Sequence, residues 1–280
     1  MVLIDGKKVS GQIRNRLAEE VQELKKKTGK TPGLATVLVG DDPASAVYVR
    51  NKNKICGELG FHSFEQKLSA DTSEEQLLQL VGELNSNKDI HGILVQLPLP
   101  DQIDSEKILQ AIDPKKDVDG FHPVNVGKLV VGNALLTPCT PTGIIELLVH
   151  YDIEISGKHA VIIGRSNIVG KPVSMLLLQR NATITICHSR TQDLKGVTRS
   201  ADIIVAAVGR ANFVTEEMVS EGTVVIDVGI NRVDGKLTGD VDFEPVSKKA
   251  SHITPVPGGV GPMTIALLME NTLKAFKDPL

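Results

Sequence analysis

The chain has 280 residues, of which 41% are hydrophobic and 23% charged, and its formal net charge is −3. This composition is typical of a globular protein of about two domains. It gives no reason to expect a nucleic acid or a membrane as partner, and no apolar run approaches the ~18 residues that cross a bilayer. The opening residues lack the apolar core of a secretory signal, and the three cysteines form no CxxC pair. We therefore expect a cytoplasmic protein with buried thiols.

The first half of the chain alternates helical and strand patterns. Strands are predicted at residues 34–40, 61–68 and 90–97. Helices are predicted at residues 9–24, from 43 to near Gly60, and after a capping box formed by Thr72 and Glu75. Strands that alternate with helices favour a parallel sheet covered on both faces.

A loop-rich region at residues 113–129 separates this half from a second α/β pattern. Strands are predicted there at residues 159–164, 183–187, 202–209 and 223–229, with helices at 141–151 and 265–276. We expect two α/β domains with a cleft between them. Residues 1–138 and 263–280 form the first, and residues 139–262 form a Rossmann-like second domain.

A glycine-bearing turn follows the first strand of the second domain. Gly164 ends the strand and Gly170 begins a helix, an arrangement that receives a phosphate on free backbone N–H groups. The spacing matches neither GxGxxG, because Ser166 replaces the second glycine, nor a P-loop, because Pro172 follows Lys171. An ordinary tight turn without a ligand remains the alternative.

The end of the next strand strengthens the interpretation as a dinucleotide site. An NAD enzyme of this fold usually has an acidic residue there for the ribose 2′-hydroxyl. Here the chain has Ser189 and Arg190, which can contact a 2′-phosphate together with Arg165 from the neighbouring turn. Each arginine alone could be a solvated loop residue, but together they favour NADP over NAD.

The first domain offers a group of polar residues near the carboxyl ends of its strands, where parallel sheets bind ligands. Tyr48 and Lys52 share one face of a helix, Gln96 ends the third strand, and Asp117 or Asp119 follows in the loop. Each has an ordinary alternative: Lys52 as a solvated lysine, Tyr48 as a half-buried ring, and Gln96 and the aspartates as backbone partners.

Six motifs taken together carry a more specific signal. They are, in chain order, YVRNKNK, VQLPLP, KDVDGFHP, GRSNIVGKP, CHSRT and PVPGGVGPMT. With these motifs in this order, the chain resembles the bifunctional methylenetetrahydrofolate dehydrogenase/methenyltetrahydrofolate cyclohydrolase family over nearly its whole length. The formyltetrahydrofolate synthetase domain of some relatives is not expected here.

The resemblance implies a shared folate site at the domain cleft. Tyr48 would pack against the aminobenzoyl group, Lys52 would be the catalytic lysine with Gln96 as its partner, and Asp119 would anchor the pterin ring. Further substrate contacts would come from Leu97, Pro257, Gly258 and Gly259, the last three in a segment that could otherwise be an interdomain linker. The predicted NADP contacts are Gly164, Arg165, Ser166, Ser189, Arg190 and Ile230. A homodimer is also implied.

The chemistry implied is oxidation of methylenetetrahydrofolate to a methenyl cation, followed by hydrolysis to 10-formyltetrahydrofolate, without a metal. A protonated Lys52 about 4 Å from that cation would repel it by roughly 4 kcal/mol at an effective dielectric constant of 20. The neutral amine is therefore the expected form and can act as general base.

Two alternatives remain for the function of the protein: another NADP-dependent dehydrogenase, such as a shikimate-type enzyme, and a non-catalytic NADP-binding module.

Overall fold

The computed structural model describes residues 1–278, without the side chain of Ala44. The chain divides into two compact units. We call residues 1–11 with 140–264 the six-stranded unit, and residues 12–139 with 265–280 the three-stranded unit, after their sheets. Residues 279 and 280, at the end of the predicted first domain, lie outside the described residues.

The strands and helices alternate along most of the chain. The strands are β1 (Val2–Leu3), β2 (Gly33–Val39), β3 (His62–Leu68), β4 (Gly92–Val95), β5 (His159–Ile163), β6 (Thr183–Cys187), β7 (Ile203–Ala206), β8 (Val224–Asp227), β9 (Asn231–Val233), β10 (Lys236–Thr238) and β11 (His252–Ile253). The helices are α1 (Gly6–Thr28), α2 (Pro43–Glu58), α3 (Glu74–Ser86), α4 (Ser105–Ala111), α5 (Pro123–Val130), α6 (Cys139–His150), α7 (Gly170–Leu178), α8 (Leu194–Arg199), α9 (Phe243–Ser247) and α10 (Val260–Lys277). A 3-10 turn spans Glu216–Met218. Within residues 1–278, no helix is long and apolar enough to cross a membrane.

The three-stranded unit has a fully parallel sheet in the order β3-β2-β4. Every residue of β2 is buried, which explains its continuous apolar, β-branched sequence, because helices cover both faces of such a sheet. The strands β2 and β4 and the helix α3 share one hydrophobic core, in which Val37, Leu77 and Val81 are completely buried. This core holds the carboxyl ends of β2 and β4 side by side.

The six-stranded unit has a parallel sheet in the order β1-β11-β8-β7-β5-β6, and β9 and β10 form a separate antiparallel pair. Ile163, the last residue of β5, is in register with Cys187 of β6 and with Ala206 of β7. The chain passes from β5 to β6 on one side and returns to β7 on the other. The loops that begin at Gly164, His188 and Ala207 therefore leave the sheet side by side, where doubly wound folds bind ligands.

The predicted α/β fold class is confirmed, and the predicted strands are found close to their expected positions. The compact units differ from the predicted domain bounds at the N-terminus. There, β1 pairs with β11 through Val2–His252 and Leu3–Ile253, so residues 1–11 belong to the six-stranded unit. A two-residue strand with exposed side chains carries no periodic pattern, and its partner lies 250 residues further along the chain.

The predicted capping box of Thr72 and Glu75 is wrong by one residue. The Ser73 hydroxyl accepts a hydrogen bond from the Gln76 N–H at 3.3 Å, and the Gln76 Oε1 accepts one from the Ser73 N–H at 2.9 Å. The Thr72 hydroxyl instead donates to the Ser69 carbonyl at 2.8 Å. Ser73 and Gln76 have the same three-residue spacing, and α3 begins directly after Ser73.

Candidate active site

Helix α2 carries Tyr48 and Lys52 on one face, as predicted. Asp42 caps the helix by accepting a hydrogen bond from the Ser45 N–H at 2.7 Å, and Pro43 opens its first turn. Lys52 is only 8% exposed, whereas Tyr48 is 41% exposed. A solvated helix lysine would have its ammonium group in water, so the alternative interpretation of Lys52 is wrong.

Lys52 and Gln96, which are 44 residues apart in sequence, form a hydrogen-bonded pair. The Lys52 Nζ donates to the Gln96 Oε1 at 3.0 Å, and the Gln96 Nε2 donates to the Leu97 carbonyl at 2.7 Å. The second bond fixes the orientation of the amide, because only its nitrogen can donate to a carbonyl. Among residues 1–278, Lys52 has no carboxylate within ion-pair distance. A buried amine with one neutral hydrogen-bond partner can use its remaining hydrogen-bonding positions to contact a ligand.

The two aspartates of the DVDG loop have different environments. Asp117 is buried and accepts hydrogen bonds from the N–H groups of Phe121 and His122 at 3.2 and 2.8 Å, and from the Asn125 side chain at 2.8 Å. It therefore organises the turn that leads into α5. The alternative in which Asp117 faces the site is not supported, because the turn occupies both of its oxygens.

Asp119, in contrast, accepts no hydrogen bond from the part of the chain that the structure describes. Loss of hydration raises the pKa of Asp119, the positive charge of Lys52 lowers it and the nearby carboxylate of Asp117 raises it, so that the pKa lies at about 6. Asp119 is half-buried. An acid with no protein partner, beside a buried amine, is poised to bind a ligand.

The backbone on both sides of Asp119 is held by packing. The Asn271 Nδ2 donates to the carbonyls of Val118 and Thr137, each at 2.8 Å. Gly120 has φ = +73°, and a Cβ there would lie 2.6 Å from the Pro138 nitrogen. Gly120 therefore serves a close backbone approach and a left-handed turn that a larger residue would strain.

A cavity of about 550 Å³ opens in the six-stranded unit, where the loops after β5, β6 and β7 meet. Its lining includes Gly164, Arg165, Ser166 and Ser189, all four predicted from the sequence as cofactor contacts. A Cβ on Gly164 would lie 2.1 Å from the Ala207 carbonyl oxygen, so the glycine allows the β5 and β7 loops to approach each other. The volume is within the usual range for small-molecule sites.

Two predicted cofactor contacts are not among the residues that line this cavity. Arg190 is exposed beside it, and its N–H donates to the His188 Nδ1 at 3.1 Å. Ile230 is 51% exposed. The lining instead includes Arg210 and Phe213, which sequence reasoning missed.

The segment Pro257 to Gly259 is an integral part of the six-stranded unit. The Gly258 carbonyl accepts a hydrogen bond from the Lys7 N–H at 3.2 Å. A Cβ on Gly6 would lie 1.8 Å from the Gly259 carbonyl oxygen. The segment therefore packs tightly against the start of α1, which argues against its interpretation as a linker.

Sequence reasoning also missed two buried carboxylates, Asp227 and Asp240. Asp227 accepts hydrogen bonds from the N–H groups of Gly229, Asp240 and Val241 at 2.9 to 3.0 Å, and burial raises its pKa to about 6. Asp240 accepts hydrogen bonds from the loop after β7. One signal was available: Asp227 ends an apolar, β-branched strand, a position where a carboxylate must find partners.

Comparison with known proteins matches both halves of the chain to one family. Residues 4–119 match the catalytic domain of tetrahydrofolate dehydrogenase/cyclohydrolase, and residues 138–279 match its NAD(P)-binding domain. The chain belongs to this family. The match to the catalytic domain contains Tyr48, Lys52, Gln96, Leu97 and Asp119, and the second match contains the cavity.

Individual relatives are similar to this chain over nearly the full length of both. The chain is 56% identical to a bifunctional protein FolD of Halalkalibacterium halodurans, over 99% of both chains. The crystal structure of a bifunctional FolD methylenetetrahydrofolate dehydrogenase/cyclohydrolase from Campylobacter jejuni superposes with a TM-score of 0.98 at 53% identity, covering 100% of both chains. That of the Trypanosoma brucei dehydrogenase-cyclohydrolase, in complex with NADP and an inhibitor, has a TM-score of 0.96 at 42% identity, covering 100% of this chain and 98% of that one. The family predicted from the six motifs is confirmed.

Proposed function

We propose that this chain oxidises 5,10-methylenetetrahydrofolate with NADP and hydrolyses the methenyl product to 10-formyltetrahydrofolate. The observation that carries the proposal is the buried Lys52–Gln96 pair near the unpartnered Asp119 carboxylate. The predicted activities and the predicted NADP cofactor are confirmed by family membership and by the NADP complex of the T. brucei relative. Both activities belong to folate one-carbon metabolism.

Lys52 is proposed as the general base of the hydrolytic step. A neutral amine has two N–H groups and one lone pair. One N–H bonds to the Gln96 Oε1, which is oriented by the Leu97 carbonyl, so the lone pair is left to accept a proton from water. The substrate's own cationic carbon favours this neutral form, because a second positive charge nearby would be repelled.

The remaining catalytic-domain residues bind and orient the folate. The ionised Asp119 carboxylate can accept hydrogen bonds from the N–H groups of a pterin ring, which would replace the partners that the protein does not provide. The exposed ring of Tyr48, one turn from Lys52, offers an aromatic face to the aminobenzoyl group. Leu97, Pro257, Gly258 and Gly259 remain predicted substrate contacts.

The cavity of the six-stranded unit fits NADP. When bound, NADP supplies the hydride acceptor. Its proposed contacts are Gly164, Arg165, Ser166, Ser189, Arg190 and Ile230, of which the first four line the cavity. Ser166 also organises the turn, because its hydroxyl accepts hydrogen bonds from the N–H groups of Val169 and Gly170 at 3.1 and 3.3 Å. Gly164 and Ser166 thus keep the backbone close to the ligand, and Arg165 provides positive charge.

One assay tests the function. Purified protein is mixed with methylenetetrahydrofolate and NADP, and reduced cofactor, methenyl product and 10-formyl product are followed separately. We expect all three in sequence. Cofactor binding without turnover would indicate a non-catalytic NADP-binding module. Reduction of NADP only with another substrate, such as shikimate, would indicate a different dehydrogenase.

We also propose a cytoplasmic homodimer. The strand β6 lies at the edge of the six-stranded sheet with half-buried Ile184 and Ile186, and such an edge is usually covered. The thiols of Cys56, Cys139 and Cys187 are free and buried, in keeping with a reducing compartment. Light scattering at low micromolar concentration tests the dimer: a mass near 30.1 kDa, that of one chain, would contradict it.

A further inference from the structure

The loop after β7 brings a cation to the cavity that neither the sequence motifs nor the family description assigns. Arg210 and Phe213 both line the cavity, and the Arg210 guanidinium lies 4.9 Å from the centre of the Phe213 ring. Within residues 1–278, this guanidinium has no carboxylate within ion-pair distance and donates no hydrogen bond. The aromatic ring holds it in place while all its donors stay available.

The backbone that carries Arg210 is fixed by a buried carboxylate. Asp240 is completely buried, and it accepts hydrogen bonds from the N–H groups of Val208, Gly209 and Arg210 at 2.6, 2.9 and 2.9 Å. Gly209 has φ = +67°, so the three successive N–H groups converge as in the backbone nests that bind anions. Since the protein's own carboxylate fills this nest, the loop has a defined shape and presents Arg210 in a defined position.

The charge of the residues that line the cavity indicates which kind of ligand Arg210 can bind. Of the described residues that line it, two are arginines, Arg165 and Arg210, and none is acidic. Strand β5 lies between β6 and β7, so Ser189 and Arg210 flank the Gly164 turn from opposite sides. A phosphate that lies over this turn is within reach of side chains from both sides, and an arginine with free donors is well suited to bind it.

We propose that Arg210 is a phosphate ligand of the bound dinucleotide, presented to the cavity by the Asp240-anchored loop and the Phe213 ring. The inference rests on the proposed placement of NADP in this cavity. The group that Arg210 contacts is a phosphate of the cofactor, either the pyrophosphate or the 2′-phosphate. An arginine at either position contributes to affinity; at the 2′-phosphate it also discriminates NADP from NAD.

Titration of the full-length protein with NADPH and with NADH, followed by the fluorescence of the reduced cofactor, tests the proposal. Arg210→Gln removes the charge, and with it the contact between the guanidinium and the Phe213 ring, but keeps a polar side chain at this position. Arg180→Gln is the matched control, because Arg180 is exposed between α7 and the start of β6, at the amino ends of the strands, whereas the cavity lies at their carboxyl ends. Arg165→Gln tests the placement of the cofactor. Thermal unfolding of each variant verifies that it is folded.

We expect Arg210→Gln to weaken NADPH binding about ten- to a hundredfold, the usual effect of losing a hydrogen bond to a charged group. Arg180→Gln should leave it unchanged. An equal loss for NADH identifies the pyrophosphate as the ligand, and a smaller loss for NADH identifies the 2′-phosphate; both support the proposal. Wild-type NADPH affinity in Arg210→Gln, with a loss in Arg165→Gln, overturns it. Wild-type affinity in both variants overturns the placement of NADP as well.

Discussion

Each unit of the molecule contains a carboxylate that is at least partly shielded from water, and the two units use it in opposite ways. Asp240 in the six-stranded unit is completely buried, and four N–H groups, three from the backbone and one from Asn231, donate to its two oxygens. Asp119 in the three-stranded unit has no donor among the described residues, and its pKa is raised to about 6. A carboxylate that the protein satisfies supports the fold, whereas one that it leaves unsatisfied costs stability and is available to a ligand.

The cations near these carboxylates show the same contrast between support and availability. Lys52 is buried and lies close enough to Asp119 for its charge to lower that pKa, yet its hydrogen bond goes to the neutral Gln96. Arg210 is carried by the Asp240-anchored loop, and its guanidinium has only the Phe213 ring as a partner among the described residues. In both units, one well-supported element presents one group with free positions. The predictions that follow test whether substitution of a group that the protein satisfies affects stability, and whether substitution of a group left open to a ligand affects activity instead or even increases stability.

The largest effect is expected from Lys52→Met, which removes the proposed base. Met is a good helix former of similar length, so α2 should remain folded. Hydrolysis of methenyltetrahydrofolate should fall by the 10²–10⁴-fold typical of general acid–base catalysis. Oxidation of methylenetetrahydrofolate needs no proton acceptor and should fall less, so that methenyl product accumulates. Separate assays with the two substrates measure this.

The control for this variant lies on the same helix. Lys54 is exposed and forms an ion pair with Glu58 at 3.7 Å, and Lys54→Met should therefore keep both activities. Circular dichroism verifies that both variants are folded. If Lys52→Met hydrolysed the methenyl substrate at the wild-type rate, Lys52 would not be the base, and the contrast between an available and a supporting group would fail in this unit.

The next largest effect is expected from Asp240→Ala. Removing the carboxylate leaves three backbone N–H groups and the Asn231 amide without their acceptor, so we expect a loss of about 3–5 kcal/mol of stability. Its melting temperature should fall by on the order of 10 °C. Asp242→Ala is a close control, because Asp242 precedes α9 without a capping hydrogen bond from its side chain. Similar melting temperatures for the two variants would show that the four contacts to Asp240 do not stabilise the fold.

The features that could be predicted from the sequence are the elements with a local apolar pattern and the site residues that follow strand ends. The buried runs of β2 and β5 follow from their apolar sequences, and the positions of Lys52, Gln96 and Asp119 follow from periodicity, from the carboxyl ends of parallel strands and from the motif resemblance.

The contacts of Asp240 were beyond that reasoning. Its partners in the β7 loop lie 30 to 32 residues away, and no periodicity connects them. The strand-end rule also identifies a loop but not the direction of each side chain. It therefore selected Arg190, which is outside the cavity lining, and missed Arg210, which is part of it.

The smallest effect is expected from Asp119→Asn, and it tests the cost of the unsatisfied carboxylate directly. The pKa of Asp119 in the folded chain, about 6, lies above its ordinary value of 3.8. The folded state thus holds this proton more strongly than the unfolded state does, and wild-type stability falls as the pH rises from about 4 to about 6. Above that window the wild type carries the full cost of the charge, whereas the amide of the Asp119→Asn variant would carry none.

We therefore expect Asp119→Asn to be more stable than the wild type by up to about 3 kcal/mol at pH 8, because each pKa unit between the folded and the ordinary value corresponds to about 1.4 kcal/mol, and its melting temperature should rise by several degrees. The difference should vanish near pH 4, where Asp119 is protonated. Asp117→Asn is the matched variant two residues away, and it should be destabilising at pH 8, because it exchanges an acceptor of three hydrogen bonds for an amide. Thermal unfolding across this pH range measures both variants. If Asp119→Asn were destabilising at pH 8, the protein would satisfy Asp119 as fully as Asp240, and the proposed anchor for the pterin ring would be a structural residue.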